Sequence, residues 1–234
     1  MGSVALFTQE GLIMVLRWIH FMAGVTWIGM LYYFNFIQGA FLTEVDANVK
    51  NNVFAKLAPK ALWWFRWGAM VTFLSGITML AITGKELGGD FLKTSYGIYI
   101  YTGSLLGTIM FLNVWLVIWP NQKVIIASAT SVLSGGAADP AAAACGPKAL
   151  LASRTNVLFS LALLFFMGSA RHLGLEIPEE FNPMKVILPI TLIIGALEFN
   201  ALKGKLGPLT TVKGVIHCAL ALTVVLYAAI EFLA

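Results

Sequence analysis

Charged residues are scarce in this chain of 234 residues. They make up 11% of it, whereas a soluble globular domain carries about 25%. Hydrophobic residues reach 59%, which excludes an intrinsically disordered chain and argues against a water-soluble domain. The net charge of +4 comes from scattered Lys and Arg without any basic block, so it does not indicate a nucleic-acid-binding protein.

Cysteine motifs are also missing. The two cysteines, Cys145 and Cys218, lie far apart, and neither CxxC nor CxxCH occurs. This absence excludes a zinc ribbon and a covalently attached c-type haem. The N-terminus has no basic region followed by an A-x-A-like cleavage site, so we expect the first apolar segment to be a retained anchor.

Long apolar segments are what the chain has in abundance. A helix needs roughly 20 apolar residues to cross the hydrocarbon core of a bilayer, and no segment alternates as a β-barrel strand does. We therefore predict an all-α polytopic transmembrane bundle that forms a single integral membrane domain over 1–234. The predicted spans are 11–37, 61–83, 96–119, 149–170, 186–201 and 212–233.

The loops predict an orientation in a bacterial inner membrane. With six spans, both termini lie on one side, and basic residues accumulate on the cytoplasmic side. The loops and helix ends opposite the termini hold Lys50, Lys56, Lys60, Lys123, Lys148, Arg154, Lys203, Lys205 and Lys213. The terminal side holds only Lys85, Lys93, Arg171 and Lys185. We therefore expect both termini to be periplasmic.

Two interruptions are predicted on the cytoplasmic side. Pro120 is expected to end the third span, because proline cannot continue an α-helix without disturbing it. The segment 128–145 is rich in Ala, Gly and Ser, and we interpret it as a flexible loop with one helical turn at most.

His20 is the most informative ionisable residue within the apolar segments. Arg17 precedes it by three residues and Gly24 follows it by four, so all three share one helix face. A b-type haem needs an imidazole ligand, room for its flat macrocycle and a cation near its propionates. Two interpretations stand: His20 ligates a haem, or it hydrogen-bonds a neighbouring helix while Arg17 extends to the interface.

His172 is the natural partner for His20 at a single iron. It follows Arg171 at the outer end of the fourth span, and Gly168 lies one turn before it. We place His20 about one turn, or roughly 5 Å, inside the outer boundary, and His172 can reach a similar depth. The alternative is an ordinary interfacial histidine close to Glu176.

Three further ionisable residues belong to the spans. His217 lies near the inner face, where a polar packing contact is favoured over a second haem or a quinone site. Arg66 stands among tryptophans, which predicts a cation–π contact. Glu198 either caps the inner end of the fifth span or belongs to a proton path.

Several stretches resemble one bacterial family. The sequences RWIHFMAGVTWIGM at 17–30 and YFNFIQ at 33–38 are similar to the first span of membrane-bound urate hydroxylases, also called urate oxidases. NVWLVIWPNQ at 113–122 and RTN at 154–156 resemble the same family. In that family a histidine follows the arginine, where this chain has Thr155, and a later histidine corresponds to His172.

The resemblance implies a membrane oxidation whose electrons pass to a cytochrome c. Family members often carry that cytochrome c as a C-terminal domain, whereas this sequence has no CxxCH motif, so we expect an external acceptor. The main hypothesis is a membrane redox subunit with one haem b that passes electrons to a cytochrome c or another membrane redox subunit. A urate-oxidising enzyme that attracts its anion through Arg17 or Arg171, and a non-catalytic accessory subunit of a larger complex, are the alternatives.

Overall fold

The chain is built from six long helices. A computed structural model describes residues 4–234, and every regular element in that range is helical, which confirms the predicted all-α class. All six helices are long and apolar enough to cross a membrane, and each predicted span lies within one of them. The prediction of one domain over 1–234 stays a prediction. The helices are α1 (Gln9–Glu44), α2 (Ala47–Lys93), α3 (Ser95–Leu133), α4 (Ala142–His172), α5 (Met184–Lys203) and α6 (Val212–Leu233).

Four of these helices begin at a side chain that caps the N-terminus. The first N–H groups of a helix have no partner within it, and a side-chain oxygen at the N-cap accepts one of them. Local sequence therefore fixes these helix starts. The caps are Thr8, Asp46, Thr94 and Thr211, which accept hydrogen bonds from the N–H groups of Gly11, Val49, Gly97 and Gly214.

Three of the helices contain a π-helical segment, in which hydrogen bonds reach back five residues instead of four. Such segments are rare and often occur at functional sites. They lie at Tyr33–Gln38 in α1, Val53–Leu57 in α2 and Asn113–Ile118 in α3. The α-helical parts around them are Gln9–Tyr32, Gly39–Glu44, Ala47–Asn52, Ala58–Leu87, Ser95–Leu112 and Trp119–Leu133. Short 3-10 helices add Ala5–Phe7, Gly88–Lys93 and Gly207–Thr210.

The predicted end of the third helix at Pro120 is wrong, because α3 continues to Leu133. The N–H of Trp119 bonds the carbonyl of Val114, five residues back, so the turn before the proline is already widened. A widened turn relieves the clash that a proline ring makes inside a regular α-helix. The predicted loop at 128–145 is correspondingly shorter, because α4 starts at Ala142.

Helix α4 occupies the centre of the bundle. Its buried residues point to every side, and they include Ala152, Asn156, Phe159 and Phe166. The cluster of buried apolar residues has members from all six helices. Helices α1 and α2 pack closely along their length, since a Cβ atom on Gly68 would lie only 3.1 Å from the backbone nitrogen of Trp27.

Candidate functional site

An apolar cavity lies between α1, α2, α3 and α4. Its volume is about 510 Å³, within the range of about 300–1,000 Å³ that is typical of ligand and cofactor pockets. Helix α1 lines it with His20, Phe21, Gly24, Val25, Trp27, Ile28, Gly29 and Tyr32, and α2 with Thr72, Phe73, Gly76, Ile77 and Leu80. Ser104, Gly107 and Thr108 of α3 and Leu163, Leu164 and Met167 of α4 complete the wall.

His20 is the one imidazole on this wall among the described residues. Its Nδ1 atom lies 3.2 Å from the hydroxyl oxygen of Ser75 on α2. That hydroxyl has a single proton, which it donates to a backbone carbonyl, with Val71 O at 2.6 Å. Ser75 Oγ therefore accepts from Nδ1–H, which leaves the Nε2 lone pair of His20 free to bind a ligand.

Glycines keep the space beside His20 open. A Cβ atom on Gly76 would lie 3.0 Å from the imidazole Cε1, and one on Gly24 would have no atom closer than 3.9 Å. The cavity extends from His20 to Tyr32, which is about 18 Å along α1 at about 1.5 Å per residue. At that end the Tyr32 hydroxyl bonds Ser160 Oγ of α4 at 2.9 Å.

Met167 brings a second possible iron ligand to the same cavity. It lies on α4, and its side chain packs against Gly103 of α3, where an added Cβ would be 3.1 Å from the methionine methyl carbon. A thioether is a known axial ligand of haem iron. The sequence favours a packing role for Met167, with haem ligation through its thioether as the alternative.

His172 lies at a comparable height but points elsewhere. The Tyr32–Ser160 hydrogen bond marks one height at which α1 and α4 meet. His20 lies twelve residues before Tyr32 on α1, and His172 lies twelve residues after Ser160 on α4, so both lie at a similar distance from that hydrogen bond. His172 is exposed, and it follows Met167 by five residues, which turns it by about 140° around the helix. His20 and Gly24 thus line the cavity, whereas His172 does not. Their pairing at one iron stays a prediction.

The remaining predicted haem-site residues lie toward the end of the bundle that holds the start of α1 and the end of α4. Arg17 is exposed, one turn outward from His20, and Gly168 is exposed on α4. Arg171 is exposed as well, with its guanidinium 5.6 Å from the ring centre of Tyr96. These three residues do not line the cavity wall.

His217 and Arg66 lie away from the cavity. His217 is exposed on α6, and its predicted packing contact stays a prediction. Arg66 makes the predicted cation–π contact, but with Trp119 of α3, whose ring centre is 3.4 Å from the guanidinium carbon. Its partner is therefore not a tryptophan next to it in sequence.

A buried polar network lies on the inner side of the cavity. Asn113 of α3 donates to Asn156 of α4 at 3.0 Å and to the carboxylate of Glu198 on α5 at 2.9 Å. Asn156 donates in turn to the backbone carbonyl of Met110 at 3.0 Å. Glu198 therefore faces the bundle interior, and Asn200 is the residue that bonds the chain at the end of α5.

Not every polar atom in this inner region has a partner. Asn35 donates to Ser153 Oγ at 2.8 Å, but its own carbonyl oxygen is buried without a donor. The carbonyl oxygen of Gln38 and the Nε and Nη1 atoms of Arg154 are buried and unpaired too. From the sequence, this polar region could have been recognised by Asn35 and Gln38, which are amide residues next to an apolar segment.

The comparisons with known proteins give one family. The sequence model described as urate oxidase N-terminal matches residues 89–229, which is more than half of the chain and includes α3 to α6. Searches of curated proteins and of solved structures found no match. The match leaves out α1 with His20, although the resemblance seen in the sequence extends to that helix. On this evidence the chain belongs to the urate oxidase N-terminal family.

Proposed function

We propose that this chain is a membrane-embedded redox protein of the urate oxidase N-terminal family that binds a b-type haem in the cavity beside His20. One observation carries the proposal. The wall of a deep apolar cavity presents an imidazole whose Nδ1 proton is held by Ser75. This is the arrangement by which metal-binding histidines are usually oriented, with the other ring nitrogen left for the iron.

The cavity residues fit this cofactor in shape and chemistry. Gly24, Gly76 and Gly107 line the cavity on three helices without adding side-chain volume, and the rest of the lining is mainly apolar. Apolar walls with few polar groups are typical of cofactor sites.

Two residues could supply a second ligand to such a group. Met167 lines the same cavity as His20, whereas His172 does not. His172, the partner predicted from the sequence, requires the end of α4 to turn toward the cavity. We favour Met167 on this ground, and the two ligand sets give different spectra.

Bound haem supplies a one-electron carrier, and the protein supplies its ligands and electrostatics. Arg17 and Arg171 carry positive charge on the outer rim, where propionates would extend. A cytochrome c or another membrane redox subunit would accept the electrons there. A haem bound in this cavity would lie near one end of the bundle, where an electron-accepting protein can approach it.

The six apolar helices support a location in a bacterial inner membrane. Each has the length that a bilayer requires, and the sides of the chain differ in basic residues. We propose that both termini are periplasmic. The cavity then opens in the outer half of the membrane, close to a periplasmic electron acceptor.

A urate-oxidising enzyme is the second candidate, and the family match is what favours it. In this reading the chain itself takes electrons from urate and passes them to an external cytochrome c. The haem proposal and the urate proposal are compatible, since the cavity accounts for the electron carrier and leaves the substrate site elsewhere.

The dithionite-reduced absorption spectrum of the purified protein tests the haem proposal. We expect a haem b band that disappears in His20→Ala, because the iron loses its imidazole. In the spectrum of the oxidised protein, loss of the sulfur-to-iron charge-transfer band in Met167→Ala would identify the second ligand. Loss of haem in His172→Ala alone would favour the histidine pair. The exposed Met22→Leu on α1 is the matched control.

A colourless protein that is stably folded would contradict the haem proposal. An unchanged spectrum in His20→Ala would contradict the ligand assignment. A folded, colourless protein without urate turnover in the presence of cytochrome c would leave the accessory-subunit hypothesis as the better account.

A further inference from the structure

Cations and indole rings lie together where α2 and α3 meet at the end of the bundle opposite the termini. The Arg66 guanidinium carbon is 3.4 Å from the ring centre of Trp119 and 5.6 Å from that of Trp115. The ammonium nitrogen of Lys123 is 5.7 Å from the same Trp119 ring centre. Two cations are therefore held within cation–π distance of one ring, which brings like charges close together.

Carboxylates are missing from this part of both helices. The stretches 47–85 and 91–138, which contain most of α2 and all of α3, have no Asp or Glu. Within residues 4–234 the one salt bridge joins Lys93 to Asp90, at the other end of α2. The repulsion between Arg66 and Lys123 is thus not relieved by an acid of their own helices, and an anion from outside the chain would relieve it.

The guanidinium of Arg66 has donors left for such an anion. Its Nε donates to the carbonyl of Leu62 at 3.1 Å, which is its one hydrogen bond among the described residues. Both Nη atoms lack a partner in that part of the chain, yet neither is fully buried, so a group outside the chain can reach their N–H groups. The planar fork of an arginine suits phosphate, to which it donates two parallel hydrogen bonds.

Exposed tryptophans indicate that this cluster lies at a membrane surface. Trp63, Trp64 and Trp67 on α2 are 48%, 59% and 44% exposed, and indole rings favour the headgroup level of a bilayer. Lys123 is exposed one turn beyond Trp119, just past the end of the predicted span 96–119. The cations of the cluster therefore lie at the level where lipid phosphates are expected.

We infer that Arg66 and Lys123 bind the phosphate of an anionic phospholipid, such as phosphatidylglycerol, beside the ring of Trp119. Phosphatidylglycerol carries no cationic group, whereas the ammonium of phosphatidylethanolamine would meet two cations and no carboxylate of these helices. The partly exposed ring of Trp67, 6.0 Å from that of Trp115, offers an apolar surface beside the bound lipid. The inference requires the membrane location proposed above, and it is independent of haem.

Quenching of tryptophan fluorescence by brominated lipids tests the inference. The full-length protein is reconstituted in vesicles of phosphatidylcholine and phosphatidylglycerol, with one of the two lipids brominated at a time. Most of the seven tryptophans belong to the cluster, so quenching reports contact with the lipid. We expect the wild type to prefer phosphatidylglycerol. Arg66→Gln/Lys123→Gln should lower that preference by about tenfold, since each basic residue at the surface attracts anionic lipid.

Lys203→Gln/Lys205→Gln is the matched control. It removes two exposed cations at the end of α5, on the same predicted side of the membrane, and leaves the cluster on α2 and α3 unchanged. We expect its preference for phosphatidylglycerol to equal that of the wild type. An equal loss in this control would mean that net charge alone attracts the lipid, and it would overturn the site.

Inorganic phosphate separates a lipid from a free anion. Added phosphate should leave the quenching by brominated phosphatidylglycerol unchanged, and displacement of the lipid by phosphate would overturn the assignment to a lipid. A wild type without a preference for phosphatidylglycerol, or an Arg66→Gln/Lys123→Gln variant that keeps the full preference, would overturn the site. If that variant fails to fold, as its elution volume would reveal, Lys123→Glu at an exposed position decides, and we expect it to lower the preference several-fold.

Discussion

The bundle has two halves that differ in chemistry along the same helices. The cavity half extends on α1 from His20 to Tyr32 and is lined mainly by apolar side chains and glycines. The polar half begins one turn further, at Asn35, and includes Asn113, Asn156 and Glu198. The first half therefore offers a mainly apolar cavity, whereas the second half holds buried polar side chains that bond across helices.

The difference lies in how each half treats hydrogen bonds. In the cavity half, Ser75 bonds its own helix and His20, so few polar groups face the open space. In the polar half, side-chain amides bond across helices and to the backbone carbonyl of Met110. Buried polar groups are costly unless they are paired, so the hydrogen bonds of this network stabilise the fold.

Filling the cavity should have the largest effect. We expect Gly76→Leu to abolish haem binding, because even a Cβ atom at this position lies 3.0 Å from His20 Cε1. The ratio of haem to protein measures the result. Gly84→Leu on the same helix is the matched control, since no atom lies within 4 Å of its added Cβ. Full haem content in Gly76→Leu would place the cofactor elsewhere.

Disrupting the polar network should lower stability and leave haem in place. In Asn156→Leu the Met110 carbonyl loses its side-chain donor, and Asn113 loses one acceptor. We expect the free energy of unfolding to fall by about 1–3 kcal/mol, the usual cost of an unsatisfied buried group. Denaturation in detergent measures it.

The control for this experiment is Asn121→Leu, whose amide bonds only the Val117 carbonyl of its own helix. Its free energy of unfolding should change by less than about 0.5 kcal/mol. Equal losses in the two variants would mean that the network contributes nothing specific to stability.

The smallest effect is expected at Ser75, which orients His20 without touching the cofactor. Ser75→Ala should keep the haem spectrum and weaken haem affinity by about tenfold, as is usual for groups that orient a metal-binding histidine. Haem transfer to an excess of apomyoglobin measures the affinity. Thr78→Val, which removes a hydroxyl bonded only to the Leu74 carbonyl of α2, should leave the affinity unchanged.

The sequence predicted the helices well because hydrophobic length is a local property. All six spans were located, and the composition alone required helices. The error at Pro120 arose because the widened turn at Asn113–Ile118 depends on contacts with α4 and α5. A proline rule that assumes a regular helix cannot anticipate that turn.

The candidate site was only partly accessible from the sequence. His20 and Gly24 could be identified by their spacing on one helix face, and both line the cavity. Ser75 and Met167 could not, because they come from other helices and are ordinary residues in apolar segments. Arg154 was counted among the cytoplasmic-side cations, whereas its burial follows from how α4 lies within the bundle.

The sequence by itself determined the number of long helices and their apolar character, since hydrophobicity acts between near neighbours in the chain. Only the tertiary structure decided which side chains share a space. A rotation of about 100° per residue separates neighbours on a helix, so Met167 faces the cavity while His172 is exposed. The packing of α4 against its neighbouring helices fixes how α4 is rotated about its axis, and the sequence around Met167 and His172 does not predict that rotation.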